Sequence, residues 1–244
     1  KSHPNSPLRY LVARLTGYPS ELDPETGVPR SVLQLMEQAQ KPAEPNGVWV
    51  VDEDPSRPEA AAIANAMLLR PTASRLAAMG LSVQHDETTA FTANASDIQG
   101  YVSWGSSDGQ APGPPTYGKI DGSLYPGQFN SRAIAMDLVS RNARSFAEPT
   151  AHNASLIIDL VDAGAAGVVG QVDDPTLSGV ARPQILLSRY AEGVPAAEAF
   201  FRSIPYLGWT NVYVGDPLMT LSVLSDHDRS DDLDGDGVRD TQDN

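Results

Sequence analysis

The chain contains no cysteine. That excludes disulfides, thiolate metal sites and a cysteine nucleophile together. It is also poor in cations: 17 Lys and Arg stand against 31 Asp and Glu, a formal net charge of −14. So acidic a surface repels phosphate backbones and anionic lipids, which argues against nucleic-acid and membrane-surface binding. No apolar run approaches the ~18 residues of a bilayer span. The best stretch, residues 155–172, is interrupted by Asp159 and Asp162. Histidine is scarce. Only His3, His85, His152 and His227 occur, and no H-x-x-x-H pair exists, which argues against a zinc hydrolase site.

What is present suits a folded domain. The 244 residues are 41% hydrophobic and 20% charged, ordinary globular composition with enough chain for a real core. Residues 8–15 (LRYLVARL), 47–52 (GVWVVD), 81–85, 98–104 (IQGYVSW), 134–139 (IAMDLV), 165–172, 211–214 and 218–224 read as strands. A helix is expected behind Pro29, with Val32, Leu35, Met36 and Ala39 on one face. Another follows the capping box at residues 56–59, with Ala60, Ile63, Ala64, Met67 and Leu68 as its apolar stripe. Further helices are expected from Asn153 through Ala163, over 183–192 and over 195–203, the last two split by Gly193. Residues 105–127, with six Gly and four Pro, read as one long loop. Strands alternating with helices predict a three-layer α/β domain: a mostly parallel sheet with helices on both faces. Its sheet should run from about Pro7 to about Leu224, within a domain of residues 1–225.

The last 19 residues are different. Eight Asp against two Arg leave −6 on residues 226–244. Asp232, Asp234, Asp236, Asp240 and Asp243 fall at positions 1, 3, 5, 9 and 12 of a loop, with Gly237 at position 6. This is the ligand spacing of a loop wrapped around Ca²⁺, in which the Val238 carbonyl takes position 7. The pattern D-x-D-x-D-G-x-x-D-x-x-D-N resembles a thrombospondin type 3 calcium repeat over about 13 residues. Calcium at extracellular concentrations would fill such a site, which predicts an exported or cell-surface protein. The opening Lys1 reads as the start of a processed or trimmed chain, and the tail as the beginning of a linker toward a further module.

Three segments of the main domain carry a second resemblance: Ser103-Trp104-Gly105-Ser106 after an apolar strand, the small-residue strand at 165–170, and the late Val214-Gly215-Asp216-Pro217-Leu218. Their order is similar to that in gingipain-type cysteine peptidases, which have a caspase-like α/β fold. Together with the opening Tyr10-Leu-Val-Ala-Arg14-Leu15, they also resemble an uncharacterised family of bacterial exported proteins related to that clan. In the peptidases a Gly-His-Gly turn supplies the catalytic histidine and the next strand leads to the cysteine. Here Trp104 stands at the histidine's place and Ser140-Arg141-Asn142 follows the next strand. The parent chemistry needs a thiolate and an imidazole within hydrogen-bond reach. The resemblance therefore implies a pseudo-enzyme with Trp104 and Ser140 at vestigial positions.

Other residues offer weaker chemistry. No G-x-S-x-G elbow surrounds Ser140. His85 and His152 are possible bases, with surface or capping roles the commoner outcome; His227 sits in the tail. Asp137, inside an apolar strand, must pair, bind something or sit at an exposed position. Arg14 and Arg132 are its possible partners. Asp216 should cap the Gly-Asp-Pro turn. The Gly-rich run 164–170 lacks the Gly-Lys-Ser/Thr of a P-loop, and Asn94 and Asn153 head glycosylation sequons. The function expected is an exported, calcium-binding, non-catalytic module. It would hold a peptide, glycan or protein partner at the carboxyl ends of its strands. Ser103, Trp104, Ser106 and Asp108 would line that cleft. The alternatives are a hydrolase rebuilt around Ser140 or a carboxylate–His pair, and a structural module of a surface assembly.

Overall fold

The computed structural model describes residues 13–17, 21–44, 46–56, 59–105, 116–146, 155–207 and 210–221. The calcium-ligand residues Asp232, Asp234, Asp236, Val238, Asp240 and Asp243 lie outside them, as do Ser106, Asp108, His3, His152 and His227.

The described residues form eight strands: β1 (Val48–Asp52), β2 (Val83–Asp86), β3 (Ala95–Ser103), β4 (Gly118–Ile120), β5 (Ser123–Tyr125), β6 (Gly127–Asp137), β7 (Gly167–Gln171) and β8 (Asn211–Gly215). Six of them form one sheet in the order β2-β1-β3-β6-β7-β8. Every neighbouring pair is parallel except β7–β8. The expected three-layer α/β arrangement is therefore present. Order reverses between β1 and β3, the kind of switch point where a doubly wound sheet opens a crevice at its strands' carboxyl ends.

The two faces bury different helices. One cluster packs Trp49, Val51, Val102, Met136 and Val169 against α3 (Arg70–Ala78), α6 (Pro183–Ala191) and α7 (Ala196–Ser203). The other packs Val50, Tyr101, Ala135 and Val168 against α1 (Arg30–Gln40) and α4 (Ile157–Asp162). Both clusters draw alternate residues of the same strands, as the two-residue period of a strand requires.

Several expected elements differ. The stripe Ile63, Met67 is exposed, at 49% and 59%. The reason is a π-helical turn, Asn65–Leu69, between α2 (Glu59–Ala64) and α3. It rotates the buried face to Ala64, Leu68, Leu69 and Leu76. Met36 likewise leaves the α1 core face, which keeps Val32, Leu35 and Ala39. The expected loop at 105–127 carries the β4–β5 hairpin, turned at Asp121 and Gly122 with φ of 48° and 87°. Its form matches the Asp-Gly hairpin turn, which needs positive φ at both positions. β6 starts seven residues earlier than the run at 134–139 suggests. Residues 218–221 are not a strand, and Leu218 is 73% exposed. Of the opening strand, Arg14 bridges Val214 beside β8.

Gly100 in β3 is set by packing. A Cβ there would lie 2.2 Å from the buried Trp49 ring. Gly100→Ala should therefore cost about 1–3 kcal/mol of stability through overpacking, read as a lower denaturation midpoint in urea. A midpoint equal to the parent's would contradict this packing.

Candidate functional site

The strand register assembles the site. Asp52 at the end of β1 pairs with Asp86 of β2 on one side and Ser103 of β3 on the other, and Ser103 pairs with Asp137 of β6. Four polar residues thus form one row across four strands at the sheet's carboxyl edge. All four share the pleat face of Val50, Tyr101 and Ala135.

Burial makes that row demanding. Asp52, Ser103 and Asp137 are 3%, 0% and 0% exposed. A buried carboxyl must find hydrogen-bond donors. Asp52 Oδ2 accepts from the Thr92 backbone N–H at 3.0 Å and from the Tyr101 hydroxyl at 3.2 Å. Asp137 Oδ2 accepts from the Tyr117 hydroxyl at 3.1 Å, and its Oδ1 from the Val139 N–H at 3.1 Å and the Asn142 amide. Ser103 Oγ lies 3.4 Å from the Tyr117 hydroxyl and accepts the Gly105 N–H at 2.7 Å. The rings of Tyr101 and Tyr117 meet edge to face with centroids 5.9 Å apart. The pair Asp52–Tyr101 and the chain Ser103–Tyr117–Asp137 are thus hydrogen-bonded groups joined through the Tyr101–Tyr117 ring contact.

The electrostatics follow from burial. Loss of solvent pushes Asp52 up to about 7, aided by the Asp86 charge and opposed by the Thr92 and Tyr101 hydrogen bonds. Burial likewise pushes Asp137 up to about 6, opposed chiefly by Asn142. Both phenols are driven well above their usual value by burial and by neighbouring charge, so they stay protonated as donors.

The opposite pleat face carries a different group. Glu53, with a fully buried side chain, pairs with His85 Nε2 at 2.6 Å and with Arg70 Nε at 3.1 Å. A small pocket opens at this edge, lined by Asp52, Glu53, Asp54, Phe91, Ser103 and Trp104, among others.

Ser103 borders that pocket, but it is buried and its hydroxyl is committed to Tyr117 and the Gly105 N–H. Trp104 also lines it and packs against the α3-side core. Its indole N–H is buried and has no hydrogen-bond partner among the described residues. Ser140 is exposed and donates to Asp174 Oδ1 at 2.9 Å. His85, the one described histidine, lies on β2, three strand spacings from β6, or about 14 Å. Ser140 and His85 are therefore not brought together. Asp137 is paired through Tyr117 and Asn142 rather than through arginine. Arg132 is spent on the Lys41 and Thr220 carbonyls, and Arg14 bonds its backbone to β8. Asp216 caps its turn through the Leu218 N–H at 2.9 Å, as expected.

Asp52, Tyr101 and Tyr117 were not singled out by sequence. The available signal was that two apolar runs, VWVVD and IAMD, each reach an Asp at the strand's carboxyl end. No protein-family model, curated protein or solved structure matches this chain.

The raised carboxyls give stability a definite pH sign. Between about pH 4 and 7 the native state holds protons that the unfolded chain has released, so these groups lose stability as pH rises. Asp52→Asn cannot ionise yet can still accept from Thr92 and Tyr101. It should gain about 2–4 kcal/mol on the parent between pH 4 and pH 8, read from urea unfolding at both. A pH-independent difference would contradict the burial argument.

Proposed function

We propose that the chain is an exported, calcium-binding protein whose α/β domain, caspase/gingipain-like in architecture, is a non-catalytic binding or scaffold module. The observation that carries this reading is the content of two neighbouring strand ends. Trp104 follows β3 and Ser140 follows β6, the adjacent strand. These are the places where the resembled peptidases hold histidine and cysteine. Here Ser140 is bonded to an aspartate and has no described imidazole within reach, and the chain has no thiol. Neither vestigial position supports nucleophilic chemistry of the parent kind.

A partner would be held at the carboxyl edge. Phe91 and Trp104 offer aromatic surface there, and the half-buried Asp54 offers a carboxylate. This combination favours a peptide or protein presenting cationic side chains, because guanidinium and ammonium groups pair with carboxylates and stack on aromatic faces. The acidic tail supplies the calcium site through Asp232, Asp234, Asp236, Val238, Asp240 and Asp243. Its support is the ligand spacing alone.

The second reading is a hydrolase rebuilt without cysteine. The Glu53–His85 contact favours it, since a carboxylate-oriented imidazole is a general-base arrangement.

Digestion of a diverse peptide library, followed by mass spectrometry with calcium and with chelator, separates the two. The expected result is no cleavage under either condition. Reproducible cleavage that disappears in His85→Ala or Ser140→Ala would replace the binding reading with the hydrolase. For the tail, calorimetry should show calcium uptake abolished by the double change Asp234→Ala, Asp236→Ala. Isotherms identical to the parent's would remove calcium from the account.

A further inference from the structure

β1 and β2 run parallel with Val51 opposite His85. Two residues further on, Glu53 and Glu87 return to the same face. The ladder continues that far, since the Glu53 N–H donates to the Asp86 carbonyl at 2.8 Å. Register therefore converges one imidazole and two carboxylates. The ligand atoms of Glu53, His85 and Glu87 all lie within 4.8 Å of one another.

The three are unequal, and the difference is informative. The Glu53 side chain is fully buried, and its carboxylate is oriented from behind: Arg70 Nε holds Oε2 at 3.1 Å. Oε1 is left directed at His85 Nε2, 2.6 Å away. Outer partners of this kind fix the orientation of metal-binding carboxylates. The His85 side chain is part-exposed, and Glu87 is exposed. Adjacent ligand atoms around a tetrahedral ion with bonds of ~2.1 Å sit roughly 3.4 Å apart. Opening the 2.6 Å Glu53–His85 contact by about 0.8 Å, within reach of a side-chain adjustment, gives that spacing.

We propose that Glu53, His85 and Glu87 form a binding site for a divalent transition-metal ion of the zinc class. The donor set selects the ion: imidazole nitrogen with carboxylate oxygens suits zinc and its neighbours, whereas calcium and magnesium favour all-oxygen shells. Three protein ligands leave a position open for water or an incoming group. Glu53 also lines the edge pocket, so the ion would sit beside it. The site is separate from the acidic tail and does not depend on the binding-module reading.

Zinc titration of the full chain by calorimetry, in excess calcium to occupy the tail, tests it. The parent should bind one zinc more than His85→Ala. Glu87→Gln, a change at an exposed position, should weaken that uptake at least tenfold. Circular dichroism in chelator should be the same for all three proteins. Equal zinc stoichiometry in the parent and His85→Ala would overturn the site. So would undiminished affinity in Glu87→Gln, which keeps the test decisive if the histidine variant fails to fold.

Discussion

The parallel register across β2, β1, β3 and β6 is the constraint on which the site depends. It lines up Asp86, Asp52, Ser103 and Asp137 at one height and on one face. With Asp52 and Asp137 buried there, the rest follows. Tyr101 and Tyr117 must reach them as donors, Asn142 must turn its amide to Asp137, and Thr92 must bring its backbone N–H to Asp52. Gly105 belongs to the same requirement. A Cβ there would meet Val139 at 2.6 Å and the Asp137 carboxyl carbon at 3.1 Å, so the chain can close over the acid only without a side chain. Such networks stabilise only when every member is satisfied.

The pleat separates two chemistries at the same edge. On the α1 and α4 side, burial raises the acids well above the ordinary carboxylate range, and phenols are tied to them. On the α3 side, Glu53 is compensated by cations and donors from Arg70 and His85. The first arrangement is buried at the edge, and the second presents part-exposed groups to solvent. Trp104 and Phe91 sit where the two meet. A buried, hydrogen-bonded floor beneath a part-exposed polar rim serves recognition better than it serves attack by the exposed, aspartate-bound Ser140. This is the physical basis for reading the domain as a binding module.

Much of the fold was legible because local patterns decided it. Val48–Asp52 and the helices split by Gly193 are set by apolar runs and turn chemistry that neighbours in sequence supply. The α2 stripe was not, since a π turn changes the helical phase and leaves no mark in the 3.6-residue period. The β4–β5 hairpin was legible in principle from Asp121-Gly122 but is short and surrounded by Gly and Pro. For the site, Trp104, Ser103 and the anomaly of Asp137 could be seen in sequence. Their partners could not, because Tyr117 reaches Asp137 across 20 residues and Tyr101 reaches Asp52 across 49. The Glu53–His85–Glu87 group shows the same limit. H-x-x-x-H spacing detects ligands on one helix, whereas here two strands meet.

The most direct test is carboxyl-carbon NMR of Asp-labelled protein titrated with pH, with the two sites assigned by Asp52→Asn and Asp137→Asn. If the register buries these acids as described, Asp52 titrates near 7 and Asp137 near 6, well above the ~4 of an aspartate in an unstructured peptide. If both titrate near 4, the two carboxyls are solvated and the buried row at the sheet edge does not exist.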